Sequence, residues 1–274
     1  MRVLVFTVDL DRDCNTAVPG ERAACSRSKG SPVPARHSAS SQGMEMLADT
    51  LQGIGVRATV FAESEALADL PDPGCLRGLE VACHGVEHED LTGESTGLVF
   101  EDQDLRNIIR RSKEDVGRTM GVEPHGFRAP YLNIDPRVLR HVAEAGFTYD
   151  SSITRPVEDG RLLPWRLPEG LWEFPLARDT DSQGRVMDSY LWAMHEGRRP
   201  EADYLGMVDR FQEGVLVMAT HSWHLMESVR GGPKGRAQAE SEAESIAVII
   251  GHAVDDGYLV MSLDRVEDML NEDR

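Results

Sequence analysis

Lysine is nearly missing from this chain. Of 274 residues only Lys29, Lys113 and Lys234 are lysines, and the other 26 basic residues are arginine. Acidic residues outnumber basic ones 47 to 29, so the net charge is −18. Such a surface repels nucleic-acid backbones and anionic membranes, which argues against phosphate-backbone binding. Cysteine is scarce too. Cys14, Cys25, Cys75 and Cys83 show no C-x-x-C spacing, so they read as free thiols and not as a disulfide framework. Long apolar runs are also lacking, and none approaches the roughly 18 residues of a membrane span. The opening stretch MRVLVFTVDLDRD is too short in apolar residues, and too quickly acidic, for a signal peptide. The expectation is a cytoplasmic protein with no nucleic-acid partner and no membrane span.

What is there is an alternation of strand-like and helix-like segments. VLVFTVDLD (3–11), VRATVFAE (56–63), LEVACHG (79–85), HGFRAPY (125–131), FTYDSS, WEFPLA (172–177), GVLVMATHS (214–222) and YLVMSLD (258–264) are short apolar or β-branched runs. Between them lie helical patterns. In QGMEMLADTLQGIG, Met46, Leu47, Leu51 and Ile54 fall at helical spacing and Gly53 and Gly55 mark the stop. EDQDLRNIIRRSKEDVGRTMG has an acidic first turn, and PRVLRHVAEAGF starts on proline and ends at Gly146. A last helix is expected from about Ala237 to Asp256. Residues 12–41 are polar, aperiodic and rich in Ser, Pro, Arg and Ala, so they read as a long insertion of open role. No composition break divides the chain. The expectation is one catalytic domain over residues 1–274, an α/β fold with a deformed barrel of about seven parallel strands.

In such a barrel the site lies at the C-terminal ends of the strands. The chemically capable residues fall there. Asp9 and Asp11 end the first run, His84 and His88 follow LEVAC, Arg128 and Tyr131 end HGFRAPY, Asp150 ends FTYD and His221 ends VLVMAT. Two histidines four apart can converge on one ion, and a carboxylate can supply a third ligand with a position left for water. Asp9 and Asp11 alternate along a strand, so one can bind metal while the other takes a proton.

This set resembles the polysaccharide deacetylase family, the NodB-homology carbohydrate esterases of family 4, in a divergent branch with one residue between the two aspartates. FTVDLD is similar to the first motif, HGVEH to the H-x-x-x-H second, FRAPY to the third, YDSS to the fourth, and GVLVMATH to the apolar run ending in histidine. The motifs run in the family's order from Asp9 to His221. The resemblance implies Asp9 as general base, and Asp11, His84 and His88 as ligands of zinc or another divalent metal such as cobalt. It implies Tyr131 as an oxyanion-hole donor through its backbone N–H, Arg128 as the partner of the base, and His221 as general acid kept cationic by Asp150. The implied activity is metal-dependent hydrolysis of an amide, most simply removal of acetyl from an N-acetylated sugar or polysaccharide precursor.

Three other readings compete. HGVEH also fits H-x-x-E-H, a zinc-peptidase signature with Glu87 as base. That requires a helix through 84–88, against which Gly85 and the strand-like LEVAC argue. A second keeps the fold but takes a small linear or cyclic amide, as an allantoinase does. The third is a sugar-binding protein without catalysis, which the intact residue set opposes. His224, three past His221, is expected either to line the groove with Trp223 or to pack. His37 and Trp165, Trp172 and Trp192 are weaker candidates for the site.

Overall fold

The computed structural model describes residues 1–272. The first run forms the strand Arg2–Leu10, in which only Arg2 has any appreciable exposure. A strand apolar on both faces needs cover on both faces, as parallel sheets provide. It pairs in parallel with Glu213–His221 on one side and with Thr59–Ala62 on the other. The sheet continues in parallel through Glu80–Cys83, Gly126–Phe127, Tyr149–Asp150 and Trp172–Glu173. At the other end Leu176–Thr180 joins Glu213–His221 through Leu176 and Val217. The two ends of this parallel series are therefore consecutive in the chain, with only Phe174 and Pro175 between them. That link curls the sheet into the expected deformed barrel.

Strand side chains alternate between two apolar layers. Leu4, Phe6 and Val8 pack outward among helix residues such as Met44, Leu47 and Ile109. Val3 and Val5 point into the barrel with Phe61, Tyr149, Val215 and Val217. Asp9 continues the inward row. Cys83 belongs to the outer layer, so it packs while its neighbour His84 turns to the site. All four cysteines are free thiols.

Several boundaries differ from the sequence reading. The helix expected from residue 42 begins at Ser38, so the insertion is shorter by one turn. Within the insertion, Ser26–Ser28 and Ser31–Val33 form a small hairpin. WEFPLA is two strands rather than one, because Phe174 and Pro175 make the closing corner. YLVMSLD does not close the series. Only Leu259–Val260 is strand, and a helix Leu263–Glu272 follows with Leu263 and Val266 packed against the barrel interior. Among the described residues no helix is long and apolar enough to cross a membrane.

Candidate active site

Register assembles the site. Asp9 lies opposite His221 on one neighbouring strand and Phe61 on the other. Phe127, just before Arg128, lies opposite both Cys83 and Asp150. Residues that follow the last strand pair thus meet at one end of the barrel. They open onto a cavity of about 380 Å³ lined by Asp9, His84, His88, Tyr131 and His221, among others.

Asp9 is buried, and both its oxygens are held. Arg128 Nη1 donates to Oδ1 at 2.7 Å, and the Tyr190 hydroxyl donates to Oδ2 at 2.6 Å. Burial works against ionisation, but the Arg128 guanidinium and the Tyr190 hydrogen bond outweigh it and bring the carboxyl down to about 2. Arg128 is itself fixed, donating to Thr7 Oγ1 at 2.9 Å, to the Ser151 carbonyl at 2.9 Å and to Ser151 Oγ at 3.0 Å.

Asp11, His84 and His88 stand close enough for one atom of each to lie within 4.8 Å of the others. His84 Nδ1 donates to the Arg128 carbonyl at 2.8 Å. A carbonyl can only accept, so Nδ1 carries the proton and Nε2 keeps its lone pair, the state a metal ligand requires. Asp11 Oδ1 and His88 Nδ1 are buried with no hydrogen-bond partner among the described residues. His88 Nε2 is 3.2 Å from Asp11 Oδ2. Burial, and then the carboxylates of Asp9, Glu63 and Asp13, push the Asp11 carboxyl well above its ordinary range. Burial keeps both histidines neutral. Two neutral imidazoles and a crowded carboxylate form a donor set that fits a divalent cation.

The histidines reach this geometry through a loop. Residues 84–88 contain no helix, and Gly85 and His88 have φ of +79° and +53°. A Cβ on Gly85 would stand 2.8 Å from Glu89 Oε2. The helix that the peptidase reading needs is not formed. Tyr131 also has a left-handed φ of +60°, and its ring packs edge-on against His88 at 4.5 Å.

The pairing of Asp150 with His221 is not formed. Asp150 accepts from Ser152 N at 2.9 Å and Ser152 Oγ at 2.8 Å, and it neighbours the buried Glu173 across the sheet. Ser152 Oγ in turn accepts from Ala129 N at 2.8 Å. The YDSS turn therefore braces the Arg128–Ala129 segment from below. The strand order explains the difference: Asp150 lies at the end of a strand five places from that of His221 along the sheet. His221 sits instead among the rings of Tyr190, Trp192, Trp223 and His224, with Nε2 3.7 Å from Asp11 Oδ2. Burial, only partly countered by Asp9, lowers its imidazole to about 3, so it is neutral at rest.

Three functional candidates, Tyr190, Asn15 and Glu63, are not in the sequence reading. Tyr190 lines the cavity from the irregular stretch 155–200 together with Trp192, one of the weaker sequence candidates, and Asn15 donates to Asp11 Oδ2 from the insertion. Glu63, at the end of its strand, takes the Arg12 backbone N–H and guanidinium, which anchors the turn that carries Asp11. The acidic residue ending VRATVFAE was the available signal for it. Trp223 and His224 pack beneath the cavity instead of lining it, and His37 bonds to Asp69 at 2.6 Å outside it.

Comparison with known proteins places these features in context. Residues 37–149 match the family described as polysaccharide deacetylase. A peptidoglycan deacetylase-like protein of Gibberella zeae is 32% identical over 77 residues, 28% of this chain. The chain spans only 21% of the length of that relative. A Mycobacterium smegmatis protein described as a polysaccharide deacetylase has the same fold with a TM-score of 0.65 at 19% identity, over 99% of this chain and 91% of that one. An allantoinase matches with a TM-score of 0.67 at 15% identity, over 97% of this chain and 88% of that one.

Proposed function

We propose that this chain, whose residues 37–149 match the polysaccharide deacetylase family, is a metal-dependent hydrolase of amide bonds. The most direct reaction is removal of acetyl from an N-acetylated sugar, with residues 1–274 acting as one catalytic domain. The observation that carries the reading is the meeting, in one cavity, of a carboxylate held ionised by Arg128 and the donor set Asp11, His84 and His88.

A divalent ion such as zinc or cobalt, held by that donor set, supplies Lewis acidity, which makes water a stronger acid and the amide carbonyl a better electrophile. The remaining work falls to the chain. Asp9, ionised near neutrality, accepts the proton of the attacking water. Tyr190 can share Oδ2 during that transfer because its hydroxyl can accept as well as donate. The backbone N–H of Tyr131, in its strained turn at the cavity wall, donates to the developing oxyanion. His221 lies across the sheet from Asp9 and delivers a proton to the leaving nitrogen. Since burial leaves His221 neutral at rest, it does not donate from a stored imidazolium: the proton that Asp9 takes from the attacking water passes to the imidazole and from there to the leaving nitrogen, which returns Asp9 to its ionised form. Asp150, through Ser152, and Ser151 act on Arg128 and hence on the base.

Acetate release from N-acetylglucosamine compounds, with and without chelator, tests the reading. Asp9→Asn and His221→Ala serve as controls. Activity that survives chelation, or full activity in Asp9→Asn, would sink it. A second reading, hydrolysis of a small linear or cyclic amide, draws on the modest size of the cavity and uses the same residues.

A further inference from the structure

The cavity is small, and its walls are tied down. Its volume of about 380 Å³ is near the lower end of the roughly 300–1,000 Å³ typical of small-molecule pockets. One wall consists of Asn15, Thr16 and Ala17, from the insertion. That segment is fastened on both flanks. Before it, Asp13 N donates to the Arg36 carbonyl at 2.7 Å. After it, Gly20 N donates to the Thr96 carbonyl at 2.9 Å and Ala24 N to the Glu87 carbonyl at 3.1 Å, and Arg36 grips both oxygens of Glu227 at 3.0 and 3.1 Å. Thr16 and Cys25 exchange backbone hydrogen bonds. The facing wall is Tyr190, bonded to Asp9, and Trp192, whose ring stands 4.4 Å from that of His224. A strap fastened this way leaves space for one ring against the aromatic wall, and little for a chain of rings across the barrel mouth.

Charge narrows the ligand further. No lysine or arginine is among the residues lining the cavity. The nearby guanidinium groups are already bound: Arg128 to Asp9, Arg12 to Glu63, Arg27 to Thr16 and Arg36 to Glu227. A phosphate or carboxylate seated away from the Asp11, His84 and His88 donor set would find no basic side chain to pair with, and burying an unpaired charge is costly. Aromatic faces and neutral polar groups suit an uncharged ring.

We propose that the cavity takes a small uncharged amide built on a single ring, such as an N-acetylated monosaccharide or a cyclic ureide, and excludes polymers and nucleotide-linked sugars. This rests on the amide-hydrolase reading of the same cavity. The test is calorimetric titration of the protein, with zinc added, against N-acetylglucosamine, allantoin, chitopentaose and uridine diphosphate N-acetylglucosamine, with turnover followed on the same four. One of the two single-ring compounds should bind about tenfold or more tightly than the pentamer and the nucleotide sugar, and the one that binds tells sugar from ureide. Trp192→Ala should weaken that binding about tenfold, while Trp192→Phe should largely keep it. Single-ring binding without turnover upholds the ligand class and overturns the hydrolase reading. Turnover with the pentamer or the nucleotide sugar bound as tightly as the single ring keeps the hydrolase reading and overturns the ligand class. Binding of none of the four overturns the ligand class as well.

Discussion

Arg128 Nη1 lies 2.7 Å from Asp9 Oδ1, and neither residue is more than 1% exposed. A buried pair of this kind is worth little against an apolar substitute, but removing one partner leaves the other charge stranded. Arg128→Met should therefore cost about 3–5 kcal/mol of stability and abolish amide hydrolysis. Urea denaturation and acetate release check the two effects. A variant of unchanged stability would mean that Asp9 is not ionised in the folded protein.

Tyr190 should matter through one atom. Tyr190→Phe removes the donor at 2.6 Å from Asp9 Oδ2 and keeps the ring. A hydrogen bond to a charged group contributes about 1.5–3 kcal/mol, so a loss of that size is expected by chemical denaturation, together with a lower kcat. Wild-type stability and kcat in this variant would remove Tyr190 from the set that holds the base.

Asp150→Asn separates two accounts of the fourth motif. Asp150 bonds to Ser152, which bonds to Ala129 N, and it makes no ion pair with His221. The ring proton shifts of His221 in NMR spectra should therefore stay as in the parent, while activity falls through displacement of Arg128. A moved His221 resonance with Arg128 undisturbed would restore the direct pairing.

Gly85 sets the turn between the two metal-ligand candidates. Its φ of +79° and the 2.8 Å approach of Glu89 Oε2 to a would-be Cβ leave no place for a side chain. Gly85→Ala should cost about 1–3 kcal/mol through backbone strain and weaken zinc binding in a chelator competition. Unaltered zinc affinity would show that His84 and His88 do not act as a pair.

Glu80 predicts a pH dependence at the far end of the barrel. Burial, with the nearby Asp264, outweighs its hydrogen bonds from Thr59 and Tyr149 and raises its carboxyl from 4.5 to about 7. Between pH 4.5 and 7 folded Glu80 keeps a proton that the unfolded chain releases, so stability falls as pH rises through that window, by about 3 kcal/mol in all. Glu80→Gln should lack this component. A wild-type minus variant stability difference that stays flat from pH 4.5 to 7 excludes it.

The sequence by itself determined the strand-end residues. Asp9, His84, Arg128 and His221 each close a short apolar run. In a parallel barrel every such run is buried until it reaches the same rim, so the polar residues that end the runs must meet. The Leu263–Glu272 helix is not legible in the sequence, because a short apolar run leading into it reads as strand or helix alike.

Only the tertiary structure decided the walls and the second contacts. Tyr190 and Trp192 come from a stretch without periodicity, and the insertion that faces them is placed by bonds to Thr96, Glu87 and Glu227, up to about 200 residues away in sequence. The partner of Asp150 was likewise invisible, since strand order around the sheet, not order along the chain, sets which carboxylate reaches which histidine. Local pattern records whether a residue is buried or ends a strand. Which distant segment lies against it follows from how the closed barrel packs, because the Phe174–Pro175 corner brings the last strands round to the first.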